Sequence, residues 1–260
     1  SKIAYVSTQP SGYFNLYVRG FNDGNWQGDA IAVSSDNDFG RSRLYFGRWD
    51  MHLAPAWLPS GEELLLVSNR DIPLGSGNVL RVPAIENGIA QAQTVLSEQS
   101  LYRTRPDVSI DGKRFVYAST AGSADQYNNL YVQPTVGGEP YKLTFFEIDA
   151  FHPRWSPDGK EIAFMVNTFP MQPADDNVRS SAVAIVKADG SEVDAPRIIT
   201  DPVLWAAAPD WSPDGQRIVF FARKQPSNNP DGTPKLHVTS LMNTIGRKQA
   251  VPQSGNQANE

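Results

Sequence analysis

Apolar residues in this chain come in short runs punctuated by Gly, Pro, Asn and Asp, with no convincing helical periodicity. Ile162-Ala163-Phe164-Met165-Val166 and Ile218-Val219-Phe220-Phe221 are apolar at successive positions, the pattern of a strand covered on both faces. A further run follows in each case, Val183-Ala184-Ile185-Val186 and Lys235-Leu236-His237-Val238. Asn15-Leu16-Tyr17-Val18, Val79-Leu80-Arg81-Val82 and Asn129-Leu130-Tyr131-Val132 match them. Shorter runs come next, as at Tyr141-Lys142-Leu143-Thr144 and Arg197-Ile198-Ile199-Thr200. Strands in close succession are predicted.

The runs belong to a repeat. His152-Pro153-Arg154-Trp155-Ser156-Pro157-Asp158-Gly159 and Ala208-Pro209-Asp210-Trp211-Ser212-Pro213-Asp214-Gly215 are its fullest copies. Looser ones start at Arg105-Pro106 and Ala54-Pro55, and Lys2 to Ser7 matches the second half of the unit. The leading prolines, Pro55, Pro106, Pro153 and Pro209, recur about every 50 residues, the length of a four-stranded propeller blade. Pro-Asp-Gly suits a three-residue hairpin, with Gly in the left-handed position. The expected fold is therefore an all-β propeller of four-stranded antiparallel blades, with five units visible, a five-bladed or incomplete six-bladed ring. Strands are named A to D from the axis outward. The first unit has B, C and D but lacks A, so either the C-terminal tail supplies it or the chain is part of a longer one. Residues 1–252 are assigned to the propeller and the polar tail 253–260 to disorder.

Composition narrows the functional classes. The net charge of −5 gives no electrostatic reason to expect nucleic acid or an anionic membrane as partner. No cysteine is present, which excludes disulfides and Cys-based metal sites. No apolar run is long enough for a membrane helix. No signal peptide is seen, and the chain opens at Ser1 inside strand-like sequence, which points to a trimmed start.

Pro-x-Trp-Ser-Pro-Asp-Gly-x-x-Ile-x-Phe, intact at Pro153 to Phe164 and Pro209 to Phe220, resembles the WD-like repeat of TolB-type β-propellers. Lys2 to Thr8 and Gly137 to Thr144 are similar to propellers fused to bacterial amidohydrolases. The resemblance implies a periplasmic or secreted bacterial protein, in keeping with the lack of Cys. It also implies protein or small-ligand binding, or a place beside a hydrolase domain.

Chain direction sorts the loops. Every A–B turn falls on one face; the long segments Ser35 to Met51, Ser68 to Gly77, Asn167 to Ser180 and Arg223 to Pro234 fall on the other, the expected binding face. Residues just before each strand-A proline should ring the axial mouth there: Asp50, His52, Arg103, Arg105, Asp149, His152 and Trp205. Such a ring suits a polar ligand, an anionic group or a metal, and equally a solvated channel with local ion pairs. Asp111, Asp158 and Asp214 are read as turn residues, and Trp57, Trp155 and Trp211 as blade packing. Asp36-Asn37-Asp38-Phe39-Gly40 lacks the third acidic ligand and distal Glu of a calcium loop. No catalytic residue, metal or organic cofactor is assigned. The reading is a non-catalytic binding propeller whose partner is a protein or small polar ligand. The alternatives are a substrate-gating propeller of a larger hydrolase, amidohydrolase or peptidase, and then a propeller lyase with axial His and Arg.

Overall fold

The computed structural model describes residues 1–9, 12, 14–35, 52–69, 77–97, 106–121, 127–167, 181–191, 196–200, 204–224 and 235–240. They form five antiparallel sheets in succession along the chain, the consecutive blades of an all-β propeller. Sheet 1 holds β1 (Lys2–Ser7), β2 (Asn15–Asn22) and β3 (Asn25–Ala32). Sheet 2 holds β4 (His52–Trp57), β5 (Glu63–Ser68), β6 (Asn78–Pro83) and β7 (Gln93–Leu96). Sheet 3 comprises β8 (Asp107–Val108), β9 (Arg114–Ser119), β10 (Asn129–Pro134) and β11 (Tyr141–Lys142). Sheet 4 comprises β12 (Ala150–Trp155), β13 (Glu161–Asn167), β14 (Ser181–Lys187) and β15 (Arg197–Ile198). Sheet 5 ends the series with β16 (Leu204–Trp211), β17 (Arg217–Lys224) and β18 (Lys235–Ser240). In every sheet the strands lie in chain order, as a meander requires.

The five repeat units thus match expectation, and among the described residues sheet 1 has three strands. A short 3-10 turn at Gly88–Gln91, before β7, is an addition the repeat pattern did not announce. The tail lies outside the described residues, as do most of the long loops and the Asp36 to Gly40 segment.

The described chain divides into two compact units, residues 1–115 with 133–140, and residues 116–132 with 141–260. The first unit's core joins Leu16, Val18 and Val33 of blade 1 to Leu64, Leu66, Leu80 and Val82 of blade 2. The described residues of the second unit form two further such cores. One joins Val116, Leu130 and Val132 to Trp155, Ile162, Phe164 and Val166; the other joins Ala163, Val183 and Ile185 to Ile218, Phe220 and Ala222. The central strands β5, β9, β13 and β14 are apolar at successive positions because each must bury both faces.

Two recurring polar devices fix the blades. After the last strand of a blade a hydroxyl turns back to the backbone of the strand before it. Ser34 Oγ accepts from Leu16 N at 2.9 Å, Thr144 Oγ1 from Leu130 N at 2.9 Å, and Thr200 Oγ1 from Val183 N at 3.0 Å. The Leu-Thr and Ile-Thr endings of the fourth strands therefore have a hydrogen-bonding cause. The second device is the A–B turn itself. Four residues, not three, separate Ser156 from Glu161, because Ser156 N donates to Glu161 O while Glu161 N turns to the Ser156 hydroxyl at 2.9 Å. Gly159 keeps the expected left-handed conformation, with φ 72°.

Candidate functional site

Strand A of three blades is bulged at one place. The register shifts between Leu53 and Ala56, between Phe151 and Arg154, and between Ala207 and Asp210. The residue before proline has positive φ each time: 55° at Ala54, 50° at His152 and 50° at Ala208. A residue before proline ordinarily stays extended, so each bulge holds a strained position. Ala fills two of the three, which makes the strain part of the blade and not special to His152.

The bulge also resolves the predicted ring. His52 is not the counterpart of His152; it lies two positions earlier, level with Ala150 and Ala206. All three are fully buried, so this position faces the interior of the blade, and His52 is a core residue of the first unit. His152 is half-buried, its ring 6.5 Å from that of Phe151. Trp205 lies on β16 opposite Arg223. Asp50, Arg103 and Arg105 lie outside the described residues.

Asp149 is the best-defined member of the ring. It immediately precedes β12, where the chain passes from blade 3 to blade 4. Its Oδ1 accepts from Asn128 N at 2.9 Å and from Asn128 Nδ2 at 3.0 Å. Its Oδ2 accepts from Asn167 Nδ2 at 3.4 Å, and Asn167 N donates to the Asp149 carbonyl oxygen at 3.0 Å. The half-buried carboxylate is thus held in one orientation by neutral amides at two other strand ends. Asn128 is buried, and its Oδ1 has no hydrogen-bond partner among the described residues. A fixed anion beside an orphan carbonyl oxygen is an arrangement that attracts hydrogen-bond donors. Asn128 and Asn167 were not singled out by sequence. Neither residue type signals chemistry by itself, and their role depends on three strand ends meeting.

On the turn face, Asp111, Asp158 and Asp214 do structural work. Ser109 Oγ donates to Asp111 at 2.6 Å and Ser156 Oγ to Asp158 at 2.7 Å, with Ser212 paired to Asp214 in the same way. Each carboxylate also accepts one amide two residues on, from Lys113, Lys160 and Gln216. Those bonds, the serine's first, hold all three carboxyls below the usual carboxylate range. Carboxylates so committed are poor proton acceptors. Among the described residues no group of three or more His, Asp or Glu side chains is placed to hold a metal, and no helix is long and apolar enough to cross a membrane.

No family model matches the chain. A Bacillus subtilis (strain 168) protein named as an uncharacterized peptidase, YuxL, is 30% identical over 119 residues, which are 45% of this chain and 16% of that protein. Among solved structures, TolB from Acinetobacter baumannii superposes with a TM-score of 0.63 at 21% identity, over 92% of this chain and 49% of that one. The β-propeller domain of the trilobed protease from Pyrococcus furiosus superposes with a TM-score of 0.54 at 12% identity, over 94% and 67%. The chain therefore spans about a sixth of the peptidase and about half of TolB, and what it shares with the solved structures is the β-propeller fold.

Proposed function

We propose that this chain is a recognition module, a TolB-like propeller that binds a protein or a small polar ligand at the strand ends around Asp149 and His152. The observation that carries this reading is the carboxylate of Asp149, fixed from both sides by Asn128 and Asn167. A group oriented before its ligand arrives loses little freedom on binding. Trp205, of the same unit as Asp149, joins the binding surface in this proposal, in a periplasmic or secreted setting.

The test is capture of an envelope protein on the immobilised chain, quantified for the parent, for Asp149→Asn and for a variant shortened across residues 168–180. Binding should fall about tenfold or more in Asp149→Asn, the scale for losing one charged hydrogen-bond acceptor. Absence of capture, or capture equal in all three proteins, would refute the proposal.

A second reading is favoured by the peptidase relative and the protease propeller. Here the chain is the propeller that screens substrates for a hydrolase domain, peptidase or amidohydrolase, in a longer protein. The reading frame on either side of the chain decides it. A flanking hydrolase domain, with hydrolysis falling as substrate peptides lengthen, supports gating; frames without one remove it.

A further inference from the structure

Four A–B turns are described, and Trp precedes three of them, as Trp57, Trp155 and Trp211. The third blade has Val108 instead. In blades 4 and 5 this indole reaches back to the preceding blade. Trp211 Nε1 donates to the Arg154 carbonyl oxygen of blade 4 at 3.1 Å, and Trp155 is buried with Val116 and Leu130 of blade 3. The same step back from position 108 leads to Trp57 and Ala56 in blade 2, and a valine is too short to make it.

A cleft of about 600 Å³ opens there, lined by Trp57, Leu58, Val108 and Ile110 together with Lys2. Where Trp211 is in place, between blades 4 and 5, the corresponding cleft is about 350 Å³ and its rim carries Asp158, Glu161 and Asp214. Two more departures from the repeat make the first cleft apolar. Leu58 stands where the other turns have Ser, and Ile110, 63% exposed, stands where they have Pro. Lys2 is the one charged residue of the lining, and among the described residues no carboxylate pairs with it.

We propose that this cleft is an indole socket that the described residues leave unfilled, and that it takes an aromatic side chain of a partner peptide flanked by an acidic residue. The repeat supplies the shape, since an indole fills the same place in neighbouring blades. Trp57 and Leu58 supply apolar and aromatic contact. Lys2 supplies the charge that an adjacent carboxylate matches. The size lies within the range of ordinary ligand pockets.

The probe is the peptide acetyl-Glu-Trp-Glu-amide with 5-fluorotryptophan, followed by fluorine NMR so that the six protein tryptophans are silent. The parent chain should shift and broaden the resonance in the micromolar-to-millimolar range. Val108→Trp, which fills the socket from within, should weaken binding about tenfold or more and leave the melting temperature equal or higher. Lys2→Gln should cost about threefold, and less in high salt. Acetyl-Glu-Leu-Glu-amide should compete about tenfold more weakly than the tryptophan peptide. Should Val108→Trp fail to fold, Ile110→Glu at the exposed rim serves in its place with the same expected loss. A parent chain that leaves the resonance unchanged overturns the proposal. So does a blocked variant that binds like the parent, or a leucine peptide that competes equally.

Discussion

The turn of blade 2 and the turn of blade 4 have the same backbone and opposite chemistry. In both, the first turn residue donates to the carbonyl oxygen five residues on, and the glycine amide closes back onto it. Blade 4 reinforces this frame with Ser156 and Asp158. Blade 2 reaches it with Leu58 and Ser60, without a carboxylate. The Ser–Asp network is therefore an addition to a turn that proline, glycine and the flanking strands already specify. Where the addition is absent, the face is free to become apolar, and there the larger cleft has formed. The turn face is uniform in its backbone and varied in what it offers a partner.

The largest test of this contrast lies in the tryptophans. Trp155 is 6% exposed and belongs to the core joining blades 3 and 4. Trp155→Ala should cost about 3–5 kcal/mol, since a cavity replaces a full indole, and should lower the urea midpoint with little change in slope. Trp211 is partly exposed, so Trp211→Ala should cost less, with the lost bond to Arg154 O included. Equal costs would mean that the indoles are not set apart by burial, and the vacant position at Val108 would then be unremarkable in energy.

Much of this was legible beforehand, and the exceptions have physical causes. The strands could be read because a blade buries both faces of its central strands, so apolar runs mark them directly. Turn positions followed from Pro and Gly, whose backbone preferences are local. His52 and His152 take different places because His152 lies within the bulge of its strand and His52 before the bulge of its own. One extra residue reverses which face a side chain takes, and nothing in Ala54-Pro55 or His152-Pro153 shows that the preceding residue is left-handed. The Val108 exception was visible in the aligned repeats. Its consequence was not, because only the structure shows that Trp155 and Trp211 reach back to the blade before them. Asn128 and Asn167 acquire meaning from the strand ends that bring them to Asp149.

The next effect is a pH dependence that the A–B turns with a carboxylate carry and the blade 2 turn does not. Asp111, Asp158 and Asp214 have folded values lowered by serine and amide hydrogen bonds. A group lowered on folding stabilises the folded state above its unfolded value, about 3.9 for Asp, and that contribution is lost as pH falls through the folded value. The parent chain should therefore lose stability as pH drops below about 4. Asp158→Asn should start less stable at neutral pH and lose less over the same interval. Parallel curves for the two proteins would show that the bond from Ser156 does not favour the charged form.

The smallest effect compares two glycines at the same turn position. Gly112 and Gly215 have φ 70° and 68°, so alanine is strained at both, by about 1–2 kcal/mol. Their surroundings differ. A Cβ on Gly112 would meet Pro59 Cδ at 3.1 Å, tighter than ordinary contact, whereas one on Gly215 would meet Pro157 Cδ at an ordinary 3.7 Å. Pro59 borders the apolar cleft, where a few tenths of an ångström of movement is available to an exposed proline ring. Gly112→Ala should therefore exceed Gly215→Ala in cost by only about 0.5 kcal/mol, read as a difference in urea midpoint. If the two cost the same, Pro59 yields freely and the cleft wall is soft. If Gly112→Ala costs much more, the wall is rigid, and a rigid wall is the better half of a socket for a flat ring.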